Sequence, residues 1–544
     1  VRARLARGGV SGLLGVALWA GAACWPSAAH AVRPTDGGLW TYTPEDDVRF
    51  WDEPSGRVRV HYSVAGPSAV LPGDDDGDGV PDFAQLAAEV VADVMTDYEE
   101  TLGLRPVVSE AEAGLGELGG SAAFDAYLVD FAGQADGHFS ADTCTDVPRQ
   151  CAGAIVFEND FAGYGYPSPE WALRLVAAHE MFHAYQAAYE NELPVWMSEG
   201  TATWAPWHHD PAYADIAWFG QSYLDEAYRT LYKPPTGPVP AFAYGSGLWF
   251  AFLTERHGEG VIGELLTAME RTTEEPVVDV DALTDVLAAH DDTWGAAWPA
   301  FTSWNLATGS RAGVAPSYPF AGELDGVPTE AWGSSIDDDN RFYALSARYY
   351  RVTHGGGPLW FAVDEPDPDL HFALHPVAGG KADGAVEDAV ARWTAETPGP
   401  LAVADGADLA LGGYWLVVSN ARTAGSSIKA RVCLGSEAQI QACAPPAPAP
   451  EPAPEPAAEM GPEPGPEPAP ERAPDLAADA SAGADAAWDA SPDATGDATA
   501  PKPAEGGCAG AGAPTAGSWL ALLLGLLALL YAGRRPAWRP GRGG

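Results

Sequence analysis

The segment SPEWALRLVAAHEMFHAYQAAYE, residues 168–190, limits the fold more than any other part of the chain. Ser168 is a suitable N-cap, Pro169 suits the first helical turn, and Glu170 sits near the positive end of the helix dipole. Beyond them Trp171, Leu175, Val176, Phe182 and Tyr185 leave the helix apolar on nearly every face. Such a helix has no side for water and must be enclosed by other elements. It nevertheless carries His179, Glu180 and His183, which are costly to desolvate unless partnered. The i, i+4 spacing turns both imidazoles to one side, where they can chelate one ion. Glu180, one residue on, cannot ligate from its angle but can reach a water held there. The stretch is either the centre of a metal-dependent hydrolase or a buried helix with two satisfied histidines.

The residues just downstream bear on that choice. Asn191-Glu192-Leu193-Pro194 reads as a helix stop, and VWMSEGTATW as a second helix bearing Glu199. Sixteen positions separate His183 from Glu199, enough for a turn and an antiparallel return that sets the carboxylate over the histidines. Two His and one Glu with an open fourth position form a catalytic rather than a structural zinc set. Thr203 lies four after Glu199 and is either a partner for a histidine or a helix-surface residue. His208 and His209, in a PWHHD turn, are expected at the surface or cleft rim.

The rest of the chain divides by pattern. Residues 32–310 carry strand signals first (57–64, 124–131, 153–160, with a helix at 83–104). Helices follow at 169–190, 212–229, 246–257, 259–271 and 294–307. After a linker at 311–340, residues 341–443 hold short β-rich runs parted by Gly, Pro and Asp, read as a small antiparallel β-sandwich. Residues 444–505, as in APPAPAPEPAPEPAAEMGPEPGPEP, have almost nothing apolar to bury and read as a disordered, extended spacer. Residues 1–31 read as a signal peptide: Arg2, Arg4 and Arg7 precede an apolar stretch and an A-x-A site, with cleavage between Ala31 and Val32. Residues 506–544 form a tail with a hydrophobic helix from about Ala516 to Gly533, followed by Arg534 and Arg535. That is just enough to span a bilayer, with the basic end cytoplasmic. Both ends place the body of the protein outside the cytoplasm. Of the six cysteines, Cys24 and Cys508 fall in the two end segments; Cys144 with Cys151 and Cys433 with Cys443 are expected as local disulfides.

The stretch HEMFHAYQ followed by WMSEGTATW resembles the gluzincin pattern, in which the Glu of a W-x-x-E-G-x-A-x-W helix completes a zinc site. More closely, the chain resembles the myxobacterial-type metalloproteinase family. That family pairs this motif with a D-x-D-x-D-G-V-P-D segment, here Asp74–Asp82, and a Y-G-x-G segment, here Tyr244-Gly245-Ser246-Gly247. The likeness covers roughly residues 55–310, and the His183–Glu199 spacing is shorter than in thermolysin-like enzymes. It implies an α+β zincin-like fold, with a sheet-bearing half and a helical half around the motif helix. It also implies zinc on His179, His183 and Glu199, Glu180 as general base, and Tyr244 either stabilising an oxyanion or packing in a Gly-rich turn. The expected substrate is a protein or peptide. The tail resembles MYXO-CTERM sorting signals, which makes Cys508 the processing or lipid-attachment position; a plain membrane anchor is the alternative.

GDDDGDGVPDF offers Asp74, Asp76, Asp78, the carbonyl of Val80 and Asp82 to one Ca²⁺. Position twelve of that loop is Gln85, not the bidentate Glu of an EF-hand, and an acidic solvated turn would look the same. The formal charge of −47 and pI near 4.3 exclude nucleic acid as a partner, because phosphate-binding surfaces need clustered Lys and Arg. Two other functions stay open: a zinc hydrolase acting on a non-peptide amide, and a non-catalytic adhesion module. The second would use Trp196, Trp204, Trp207 and Trp218 as a groove.

Overall fold

The alternation in RVRVHYSV becomes one strand of a five-stranded sheet. β1 (Val48–Asp52), β2 (Val58–Ser63), β3 (Phe124–Val129), β4 (Gly137–Cys144) and β5 (Cys151–Glu158) lie in the order β1-β2-β3-β5-β4. β2, β3 and β5 are parallel, and β1 and β4 are antiparallel edges. Val58, Val60, Tyr62, Ala126, Leu128, Ile155 and Phe157 face the main core. Tyr127, Val129, Ala154 and Val156 face the other way, under Trp40 and Tyr42. The division follows the two-residue period of a strand. The computed structural model describes residues 33–443, apart from 39, 237–239, 334, 337–340, 379–383, 397–398, 404–407, 411 and 426. The expected signal peptide with its Ala31–Val32 cleavage site, the 444–505 spacer and the 506–544 tail with its hydrophobic helix and Cys508 lie outside the described residues.

Two helices pack on the core face of the sheet: α1 (Asp82–Glu100) and α2 (Pro169–Ala187). Ser168 caps α2 by accepting the Trp171 amide, with Pro169 at the first position. Its buried residues include Leu173, Val176, Met181, Phe182 and Tyr185, as the absence of a polar stripe requires. Tyrosines fasten the pair: Tyr98 donates to the Ala178 carbonyl (2.8 Å) and Tyr185 to the Met95 carbonyl (3.1 Å). A short turn then leads into α3 (Val195–His209). That turn is pinned by Arg271, whose guanidinium donates to both oxygens of buried Glu190 (2.8 and 2.9 Å) and to Glu192 (2.8 Å).

The helical half continues with α4 (Ile216–Leu224), α5 (Ala241–Gly245), α6 (Gly247–His257), α7 (Val261–Ala268), α8 (Asp279–Ala289) and α9 (Trp294–Leu306). The helix expected over 212–229 is shorter. Pro211–Tyr213 is a separate 3₁₀ turn capped by Asp210, and Ala214 is extended before α4 begins.

Two sheets face each other in the C-terminal part. One runs Ala391–Ala395, Asp367–Pro376, Gly412–Asn420, Ser346–His354, Glu330–Ala331; the other runs Leu401–Ala402, Trp360–Val363, Val432–Gly435, Ser335–Ile336. Pairing is antiparallel except for the two-residue contact of Glu330–Ala331. Leu370, Phe372, Leu374, Leu416 and Val418 meet Phe361, Val363, Val432 and Leu434 in a shared core. The opposite face of the larger sheet is not free. Ala347, Tyr349, Ala373, Trp415 and Val417 join the main core, alongside Trp298 and Phe301 of α9. The 311–340 segment, expected as a linker, buries Tyr318, Phe320, Leu324 and Val327 in that same core. The protein is thus mixed α/β, and the described residues belong to one compact unit. Both expected disulfides form: Cys144–Cys151 across the β4–β5 pair, and Cys433–Cys443 beside the helix Glu437–Cys443. They fit an oxidising, extracytoplasmic environment. Among the described residues no helix is long and apolar enough to cross a membrane.

Candidate metal centre

α2 and α3 run back on each other after the pinned turn, and this brings His179, His183 and Glu199 together. The two Nε2 atoms are 3.2 Å apart, and Glu199 Oε2 lies 3.5 Å from that of His179 and 3.6 Å from that of His183. A tetrahedral site with bonds of about 2.0–2.1 Å has edges of about 3.3–3.4 Å. The triangle therefore has the dimensions of three corners of a zinc site. Its chemistry fits too. Glu199 Oε2 is buried without a hydrogen-bond partner, a costly arrangement unless a cation completes it. Burial works against charge on both groups, but their mutual attraction outweighs it. Without a metal ion that attraction pushes His183 up to about 9 and holds Glu199 well below the usual carboxylate range, so a cation binding here takes the place of a proton.

Glu180 points from the same helix and is 8% exposed. Burial raises its pKa, opposed by the two histidines. It lies against the first residue of β4: a Cβ on Gly137 would stand 2.7 Å from Glu180 Cγ and 2.8 Å from Oε1. The absence of a side chain at Gly137 gives the carboxylate its room. Tyr244 stacks on the His179 ring (centroids 5.8 Å apart, planes at 27°) and on Phe219 (4.7 Å, 20°). Burial, then Glu199 and Glu180, push its hydroxyl well above the ordinary tyrosine value.

Several residues around the centre were not singled out from the sequence. Gln186 meets His183 Nδ1 at 2.8 Å. Asp136, at the entry to β4, accepts a hydrogen bond from Tyr166. Asp215 is pushed up to about 7 by burial, with nearby His179 pulling the other way. Gln186 had a signal, three positions after His183 on the same helix; the two aspartates sit in loops with none.

Other expectations resolve differently. Thr203 is 1% exposed and packs toward Gly247, so it is neither a surface residue nor a hydrogen-bonding partner of a histidine. His208 is largely enclosed, its Nδ1 3.2 Å from Glu259, and His209 meets Asp97 at 3.0 Å. Trp196 and Trp204 are buried and cannot line an open groove, whereas Trp218 is 51% exposed. Asp74, Asp76 and Asp78 converge on one exposed spot. Asp74 there accepts the amides of Gly77 (2.8 Å) and Gly79 (3.0 Å). Asp82 is turned to the Asp75 amide (3.1 Å), and the Val80 amide donates to Asp78 (2.8 Å). Neither the family models nor the curated proteins compared with the chain give a match.

Proposed function

We propose that this chain is an exported, surface-held zinc metallopeptidase with a zincin-like arrangement. The reading rests on one observation: the His179–His183–Glu199 triangle, of tetrahedral dimensions, with buried Glu180 beside it. Zinc in that cradle supplies Lewis acidity, polarising a scissile carbonyl and lowering the pKa of a water toward ~7. The chain's own groups do the rest. Glu180, its basicity raised by burial, takes the water's proton and returns it to the leaving amine. Tyr244, beside His179, donates toward the developing oxyanion. Asp74, Asp76 and Asp78 hold structural Ca²⁺ at the turn into α1.

β4 favours a peptide over a small amide as substrate. It is an edge strand, and Gly137 at its start leaves open the space that Glu180 occupies. An extended chain can add to such an edge through main-chain hydrogen bonds while its scissile bond meets the base. The C-terminal spacer and tail hold the folded body at the cell surface.

The test is zinc analysis of the purified protein together with peptide-library cleavage read by mass spectrometry, against Glu180→Gln. Cleavage by the wild type, lost in a variant of equal zinc content, supports the assignment. Bound zinc without cleavage in either protein would point instead to a non-peptide amide or to an adhesion module.

A further inference from the structure

We infer that Gln186 is a positioning residue that fixes which nitrogen of His183 faces the metal, through a one-way hydrogen-bond chain anchored on α3. The inference rests on the zinc reading of the triangle.

The chain can be followed from an end whose direction is certain. A backbone carbonyl only accepts. One end of the Gln186 amide lies 2.8 Å from the Ser198 carbonyl and 2.7 Å from Thr201 Oγ1, so that end is the NH₂ group. The Thr201 hydroxyl has a single proton, and its own 2.8 Å contact is with the Met197 carbonyl, another pure acceptor. It therefore accepts from Gln186. Both amide protons are thus committed to α3, and Gln186 Oε1 must face the other way. It stands 2.8 Å from His183 Nδ1, and Ser198 Oγ donates to it at 3.1 Å. An oxygen cannot donate, so the proton in that bond belongs to Nδ1. The nitrogen left to offer a lone pair is Nε2, the atom 3.2 Å from His179 Nε2 and 3.6 Å from Glu199.

Gln186 is 3% exposed and Thr201 fully buried, so water does not compete for the bond between them. The arrangement also ties two tasks to one turn of α3. Glu199 closes the triangle, while Ser198 and Thr201 on either side of it orient the amide that orients the histidine. A displacement of α3 would spoil the ligand and the tautomer together.

The experiment measures zinc affinity of the full chain by chelator competition, and records the imidazole N–H protons of the zinc-loaded protein by NMR. In the wild type, His183 should show an Nδ1–H proton protected from exchange. Gln186→Met keeps the length of the side chain but leaves His183 Nδ1 only a weak thioether acceptor and the Ser198 hydroxyl at 3.4 Å. It should weaken zinc binding about 10- to 100-fold and leave that proton unprotected. Gln186→Glu restores the acceptor and, with its carboxyl protonated, can still donate to the Ser198 carbonyl, so it should recover part of the affinity and the protection. Thr201→Val, which frees one amide proton but leaves the Ser198 carbonyl to hold the other, should give a loss smaller than that of Gln186→Met without touching His183. The last two variants keep the inference testable if Gln186→Met does not fold. Equal zinc affinity in Gln186→Met and wild type would overturn it. So would a Gln186→Glu protein as impaired as Gln186→Met, or a Thr201→Val protein unchanged in both readouts. Zinc bound and tuned as described, but without peptide cleavage, would sink the peptidase reading while leaving this inference standing. A wild type that does not bind zinc would sink both.

Discussion

Gly137→Ala is a one-methyl test of whether the β4 edge and the base share one space. The added Cβ would collide with Val176 Cγ1, and would stand 2.7 Å from Glu180 Cγ and 2.8 Å from Oε1, where ordinary contact begins near 3.4 Å. Glu180 must retreat by about 0.6–0.7 Å, or the strand must lift by as much, to restore carbon contact distances. Overpacking of this kind costs ~1–3 kcal/mol of stability. The functional effect should be sharper, because misplacing a reacting group by ~1 Å costs on the order of 10²-fold in rate. The nearest neighbours of the new methyl belong to Val176 and Glu180 rather than to a triangle residue, so zinc content should hold. The assay is kcat/KM on a cleaved library peptide, with zinc content and thermal unfolding measured on the same preparation. Val176→Ala in the same chain removes one collision and leaves the other. The double variant should therefore regain stability while activity stays low, a non-additivity expected of groups in contact. Wild-type activity in Gly137→Ala, or activity lost only in proportion to zinc, would refute the reasoning.

Other expectations rest on single contacts. Tyr244→Phe keeps the stack on His179 and Phe219 and should lower kcat/KM by about 10²–10³-fold at unchanged zinc content, if the hydroxyl meets the oxyanion; a change under about threefold would remove Tyr244 from that role. Arg271→Met leaves buried Glu190 with only the backbone amides of Glu192 and Arg149 as donors, and should cost up to about 3–5 kcal/mol, read as a lower urea midpoint. Burial pushes Glu158 up to about 7 from its ordinary 4.5, against the Phe131 amide and Tyr164 hydroxyl that favour its charge. The folded state then holds the extra proton between those values. This group's contribution to stability is full below about pH 4.5 and declines as pH rises toward 7. Glu158→Gln should flatten that part of the urea-midpoint profile; an unaltered slope would assign it elsewhere. Stripping zinc should lower Tm, since zinc at 100 times its Kd stabilises the fold by ~2.7 kcal/mol.

The motif helix was legible because it breaks the usual pattern: with no polar stripe, it had to be buried, and its polar residues had to be partnered. The return of α3 was legible from spacing alone. β4 was not. GHFSADTC shows no alternation because the strand is an edge, buried on neither face throughout, and its importance comes from Gly137 meeting a residue far along the chain. α8 did have a readable stripe, with Val280, Leu283, Val286 and Leu287 on one side. On α3, the residue four beyond Glu199 was the wrong one to consider. Thr203 turns to α6, while Thr201 reaches the centre through Gln186, a path that depends on the side chain of another helix. The sandwich was readable as strands, but period-2 patterning cannot say whether the second face of a sheet meets water or, as here, another core.

The two glycine-bearing motifs, SEGTATW and YGSG, read as separate landmarks in sequence, yet they are two sides of one helix contact. A Cβ on Gly200 would collide with Ser246 Oγ and lie 2.7 Å from Phe250 Cε2; one on Gly247 would lie 3.1 Å from the Gly200 carbonyl. α3 and α6 therefore approach as closely as backbones without side chains allow, and Ser246 Oγ holds the approach by donating to the Trp196 carbonyl (2.5 Å). Gly245 does the same toward α4, where a Cβ would lie 2.6 Å from the Phe219 carbonyl. That second approach sets Phe219 against Tyr244, and Tyr244 against His179. The glycines thus do no chemistry of their own. They fix how near α3 comes to α6 and α5 to α4, the packing that carries Glu199 and Tyr244.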